Sequence, residues 1–315
     1  MKGFEEDLQL DLSPEVLQKL ANIKRYMLPT GYLSHSQIEM YMRCPRQYEF
    51  RYVKGEKRPP GVPMALGSSA HEALETTHNH IVEHGTPAPL EQVQAAFSDS
   101  YDKNIADVPA EEWKKEDEVP ALVKNAGMNL VTQYNMQFAP HVKPMVKDGV
   151  RGIEQKFEMV IVDVPMVGYI DLIDVNSGVA ITPEERALMA SIGPAAETPT
   201  NPDILDMLNS VVTDFKTKSK SLTEEDVKSS FQLTLYSYVT GIPTVRYDQL
   251  LRQKVPKLKR MNSTRTKQDH LWMEEIIRST AQAISAGVFP PCSPTSWTCS
   301  AKWCGYWSLC RGKRV

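Results

Sequence analysis

Residues 211–217, Val-Val-Thr-Asp-Phe-Lys-Thr, run apolar side chains into Asp214 and Lys216, two positions apart. In a strand, alternate side chains share a face, so this spacing points a carboxylate and an ammonium into one space. A second strand-like run, Val167 to Asp174, carries Asp171. Two carboxylates at the ends of neighbouring strands offer oxygen ligands to a hard divalent cation, Mg²⁺ or Mn²⁺. A cation there polarises a phosphate oxygen and activates water, and a lysine beside it positions that water or stabilises developing negative charge. Phosphodiester hydrolysis is the reaction this set suits. His71, delivered by a helix, adds an imidazole ligand that biases the site toward Mn²⁺. An isolated Asp-x-Lys is an ordinary surface ion pair, so the argument rests on the company it keeps.

The cysteines form a second constellation. Cys299, Cys304 and Cys310 are spaced C-x4-C-x5-C, and Cys292 precedes them. Three thiolates need a fourth to close a metal site. Cys44, beside Pro45 in a helix of aromatic and basic residues, is preferred over Cys292, which lies ahead of the compact run. The spacing lacks the paired C-x2-C knuckles of zinc ribbons, although zinc stays open.

The elements that must position these groups follow from pattern. Residues 1–31 form an N-terminal extension with a short helix at 14–25, led by Ser13 as cap and Pro14 at its first position. A helix begins near Ser36, which stands at capping-box spacing from Glu39, and leads into Arg43-Cys44-Pro45. Small residues from Ala65 to Glu75 open a second helix, with His71 and Glu75 on one face. The stretch 90–147 is mostly helical, with a break near Pro109. From 152 the period changes to strands at 157–162 and 167–174, a hairpin turning at Asp163-Val164-Pro165. Residues 177–209 interrupt the sheet as an edge insertion, with a helix at 183–191. After the Asp214 strand come a helix at 224–240 presenting Gln232 and Tyr236 on one face, a strand at 244–255 and a final helix at 270–286. The basic run containing Arg246, Arg252, Lys254, Lys257, Lys259, Arg260 and Arg265 could neutralise phosphates, with Lys218 and Lys220 nearby. Tyr41, Trp303, Tyr306 and Trp307 could stack on unpaired bases or shield a metal cluster.

At 315 residues and 41% hydrophobic content the chain can bury a large core. A net charge of -3 confines any nucleic-acid contact to a local patch. There is no Walker A pattern, no apolar run of membrane-spanning length and no secretory h-region at the acidic N-terminus, so a cytoplasmic setting without membrane contact is expected. In a reducing compartment clustered cysteines are better read as ligands than as disulfides.

Ile170-Asp171, Asp214-Phe215-Lys216 and Gln232-Leu-Thr-Leu-Tyr236 resemble, in this order, the Asp, Asp-x-Lys and Gln-x-x-x-Tyr motifs of PD-(D/E)XK nucleases. Gly67, His71 and Glu75 match the Gly-x-x-x-His-x-x-x-Glu helix of that superfamily's RecB-like exonuclease branch, which includes CRISPR-adaptation and phage exonucleases. The segment between Asp171 and Asp214 is longer than the family's compact hairpin, and Asp174, at the opposite strand parity, is the alternative to Asp171. The resemblance implies an α/β, restriction-endonuclease-like mixed central sheet flanked by helices, as one nuclease domain over 32–315 with a helical section at 64–147. It implies that His71, Asp171 and Asp214 bind the metal, with Glu154 at the start of the first sheet strand as a weaker candidate, that Lys216 is catalytic, and that Gln232 and Tyr236 lie beside the scissile strand. It also implies a [4Fe-4S] cluster on Cys44, Cys299, Cys304 and Cys310 that joins the two ends of the domain through region 292–310. The expected activity is metal-dependent DNA exonuclease on single-stranded or free DNA ends, in DNA repair, recombination or phage DNA processing. A DNA-end-binding or CRISPR-adaptation accessory role is the alternative, with a homo-oligomer or recombination and CRISPR proteins as partners.

Overall fold

The computed structural model describes residues 26–110, 112–113, 119–175 and 209–312. The expected helices at 14–25 and 183–191 lie outside the described residues, as does the insertion at 177–209 apart from its last residue. Helix α1 (His35–Arg43) is capped by Ser34, whose side chain accepts from the Gln37 amide. The expected cap, Ser36, instead lies in the first turn, its hydroxyl 3.0 Å from that of Ser34. Cys44, in an extended conformation, ends α1 and starts α2 (Pro45–Tyr48), where Pro45 takes a position that needs no amide donor.

Three longer helices follow: α3 (Val62–His84), α4 (Leu90–Ile105) and α5 (Pro120–Gln137). Leu66, Phe97, Tyr101, Leu130 and Tyr134 pack into one buried cluster with Leu172, Phe215 and Leu250 of the sheet. A two-residue-strand hairpin, β1 (Val146–Lys147) and β2 (Val150–Arg151), leads into the main sheet. Its strands are β3 (Ile153–Ile161), β4 (Val164–Asp174), β5 (Val211–Lys218), β6 (Thr244–Leu251) and β7 (Lys257–Thr264). They lie in sequence order; β5 and β6 are parallel and the other neighbours antiparallel. The β3–β4 turn is the pair Val162-Asp163, both at positive φ (45 and 67°), the backbone that matches a two-residue hairpin. Val164 and Pro165 therefore belong to the strand and not to the turn.

The parallel β5–β6 step needs a crossover, supplied by α6 (Glu224–Lys228) and α7 (Phe231–Thr240). The expected single helix breaks here because Ser230 caps α7 through the Leu233 amide. Helix α8 (Lys267–Ser285) follows β7, and α9 (Trp307–Cys310) closes the described chain. Ile38 of α1, Leu233 of α7 and Met273 and Ile277 of α8 bury the second face of the sheet with Val212 and Val245. The sheet is thus flanked by helices on both sides. Among the described residues no helix is long and apolar enough to cross a membrane.

Strand β7 was expected only as a basic segment. Its alternating exposed lysines hide the strand pattern, as suits an edge strand that must not pair with another chain. The basic run is also not one phosphate-facing patch. Arg246 is 0% exposed. Its Nη2 lies 3.0 Å from Asp174 Oδ2 and its Nε donates to Thr213 Oγ1 at 3.0 Å. Asp248, also buried, takes two hydrogen bonds from Arg260 at 2.8 and 2.7 Å. Arg265 is buried too, donating to Thr234 Oγ1 and the Val227 carbonyl. These arginines tie strands and helices together; Lys254, Lys257 and Lys259 remain on the surface. An Arg246→Met protein would remove the guanidinium that lies 3.0 Å from the buried Asp174 carboxylate. Breaking a buried pair from one side costs about 3–5 kcal/mol, so the urea midpoint should fall sharply. An unchanged midpoint would show that the pair does not support the fold.

Candidate active site

The β4–β5 ladder pairs Asp174 with Val211, Ile173 with Val212 and Leu172 with Thr213. One further step in this register sets Asp171 opposite Asp214, where the ladder ends. There the Asp171 carboxylate replaces a strand partner: its Oδ2 accepts from the Phe215 amide at 2.8 Å. Asp174, the alternative, is instead held by Arg246. Asp171 and Asp214 are 6% and 1% exposed, so the site lies in a medium where charges interact strongly.

His71 comes from α3. A Cβ at Gly67, one turn earlier on that helix, would stand 3.3 Å from Thr217 Oγ1, so a glycine lets α3 lie close against β5. His71 Nδ1 lies 3.4 Å from Glu154 Oε1 and 3.6 Å from Asp171 Oδ2, while Nε2 lies 3.1 Å from the Phe215 carbonyl oxygen. Ligand atoms of His71, Glu154 and Asp171 all fall within 4.8 Å of one another. Glu154, the weaker candidate from sequence, is thus one of this trio, and Asp214 is not. Glu154 sits in β3 at φ 44°. For a non-glycine residue this is a strained backbone of the kind found at functional sites, and it has no signature in strand alternation.

Asp214 faces Lys216 instead. Lys216 Nζ lies 2.7 Å from Asp214 Oδ2 and donates to Gln232 Oε1 at 2.8 Å. Gln232 Nε2 donates to Tyr236 OH at 2.8 Å. Asp214 Oδ2 is buried and is held by the Lys216 ammonium as an ion pair. Burial alone would weaken the lysine's hold on its proton; Asp214, then Tyr247 and Asp171, more than offset it, and Lys216 stays protonated.

Burial first, and the Asp214 charge next, push the Asp171 carboxyl up to about 7. For His71 burial works against the cation, but Asp171, Glu154 and Asp214 outweigh it and hold the imidazole at about 9. Both groups must lose protons to ligate a metal. The signs agree: each pKa is raised on folding, so each contributes stability at low pH that fades as pH rises through the folded value. In metal-free protein their contribution therefore declines between about pH 4 and 9. Mn²⁺ ligation runs the other way, so the Mn²⁺-induced rise in Tm should grow from pH 6 to pH 8.5, with proton release by calorimetry. A pH-independent rise would remove both residues from the metal site.

The cysteines converge elsewhere. Cys44, Cys292, Cys299, Cys304 and Cys310 all line one small cavity. Gln47 Nε2 donates to Cys304 Sγ at 3.4 Å and Arg311 Nη1 to Cys299 Sγ at 3.7 Å. Burial, then the adjacent Cys44 thiol, push the Cys292 thiol up to about 11. Of the aromatic residues near the cavity, Tyr41 and Tyr306 are buried and donate to the Val288 and Glu56 carbonyls, which leaves them no face for a base. Trp303 is 47% exposed.

A mixed sheet with acidic groups and a lysine gathered where two central strands part is the arrangement of restriction-endonuclease-like nucleases. The model of one family, the PD-(D/E)XK nuclease superfamily, matches residues 32–182 and 201–311, and the chain belongs to that superfamily. A crystal structure of a provisionally named exonuclease from Eubacterium rectale is similar at 10% identity and a TM-score of 0.48, covering 95% of this chain and 92% of the other. No curated protein matches the chain.

Proposed function

We propose that the protein is a metal-dependent DNA exonuclease of the RecB-like type, hydrolysing phosphodiester bonds from DNA ends with a preference for single strands. The observation that carries this reading is the His71, Glu154 and Asp171 trio beside the Asp214–Lys216 pair. The donor set fits Mg²⁺ or, because of the imidazole, Mn²⁺. Asp214, paired with Lys216, offers a further carboxylate oxygen. A bound cation would polarise the scissile phosphate and make water acidic enough to attack. Lys216, kept charged by Asp214 and aimed by Gln232, stabilises negative charge as it develops on the phosphate. Tyr236 holds Gln232 in place.

The thiols of Cys44, Cys299, Cys304 and Cys310 are assigned to a [4Fe-4S] cluster of structural role. Their convergence on one cavity, with N–H donors from Gln47 and Arg311 on two of the sulfurs, supports the assignment. Repair, recombination or phage DNA processing is the setting of the branch it resembles.

The test pairs an end-labelled linear single strand with its covalently closed circle in Mn²⁺. The linear strand should be consumed and the circle should persist. A cut circle would make the activity endonucleolytic. If neither strand were cut, yet linear DNA bound, a DNA-end-binding accessory role would replace the enzyme.

A further inference from the structure

Lys216 stands between two hollows. One holds His71, Glu154 and Glu75. The other is a groove of about 520 Å³ that also takes in Gln232 and is otherwise unused by the reaction described above. That volume suits one small ligand, and no duplex could enter it. Aromatic rings form part of its wall. His35, the first residue of α1, stacks on Phe231, the first of α7, with centroids 6.0 Å apart and planes at 22°. Trp272 of α8 lines the same groove and is 47% exposed. Lys218, on the same strand face as Lys216, lines it as well.

We propose that this groove is a subsite for one unpaired DNA nucleotide next to the scissile phosphate. Its base stacks on Trp272 and the Phe231–His35 pair, and its phosphate faces Lys218. The proposal rests on the nuclease reading above. Ring faces accept any base, which suits an enzyme that must advance along arbitrary sequence. Bases within a duplex are stacked on one another and reach such rings only by flipping out. An apolar peptide would cover Lys218 without supplying an anion, whereas a nucleotide brings both a ring and a phosphate. The two carboxylates of the groove, Asp226 and Glu39, are matched by its two lysines, Lys216 and Lys218.

The test measures binding apart from cleavage, by anisotropy of a short fluorescein-labelled single strand with Ca²⁺ in place of Mn²⁺. An abasic residue is walked inward from the end, one position per probe. In wild-type protein one position should weaken binding about tenfold, the scale of one lost base stack. In Trp272→Ala that penalty should shrink below about twofold, because the stack is already missing. Trp272→Phe should restore it, and Phe231→Ala should behave like Trp272→Ala. In cleavage the Trp272→Ala loss should fall on KM and not on kcat. A penalty that persists in Trp272→Ala, no penalty at any position, or an equal loss of duplex binding would overturn the subsite. A wild-type protein that shows the abasic penalty yet never cleaves would sink the nuclease reading while supporting the groove.

Discussion

Lys216→Ala should cut DNA about a hundredfold to a thousandfold more slowly than wild type, the range for losing one preorganised charge-stabilising donor. The loss should fall on kcat, with DNA affinity largely kept, because the ammonium acts on charge that exists only as the phosphate reacts. The same change leaves Asp214, 1% exposed, without its cation. Breaking a buried pair from one side costs up to about 3–5 kcal/mol; here the cost is smaller, since the lysine side chain is 27% exposed and solvent screens part of the interaction. A slow variant must therefore be shown to be folded. Mn²⁺ supplies that control, because a cation that reaches Asp214 Oδ2 compensates the missing ammonium. Mn²⁺ should raise Tm more in Lys216→Ala than in wild type. Full activity in a folded Lys216→Ala protein would show that the lysine serves the fold alone.

That argument was open to the sequence because it depends on strand parity. Residues 214 and 216 share a face in any strand, and Gln232 and Tyr236 share one in any helix, so neither needed knowledge of distant contacts. The place of Asp171 depends on register, which the antiparallel ladder fixes across the intervening segment. Glu154 was harder to place, since a left-handed backbone turns its side chain and no alternation pattern signals that. The basic run misled for a different reason. Arg246 and Arg265 look like phosphate ligands in one dimension, but their partners lie 72 and 31 residues away. Only the fold reveals that these guanidinium groups are already engaged inside the protein.

The cysteine assignment carries the other large effect. Between Cys299 and Cys310 only Tyr306 is buried, and the four residues of α9 bury none. Such a segment gains too little from apolar burial to offset the entropy of ordering it, so its position must come from something else. A cluster shared with Cys44 would supply it, and the binding free energy would then be folding free energy. Cys44 ends the nine-residue helix whose first residue, His35, lines the groove beside Lys216. At about 1.5 Å per residue that helix is a strut of roughly 14 Å from cysteine cavity to groove. Cys44→Ala, purified without air, should therefore lose its iron and its brown absorption and drop severalfold in soluble yield. Cys310→Ala should likewise lose solubility more than intrinsic chemistry. Cys292→Ala should keep the iron, because the proposed set of four thiols leaves Cys292 out. If Cys292→Ala lost iron while Cys44→Ala kept it, the ligand set would close locally within 292–310 and the two ends of the domain would not be joined. A colourless wild type carrying zinc would exclude the iron-sulfur cluster but keep the strut, since four thiolates around zinc tie the same segments together.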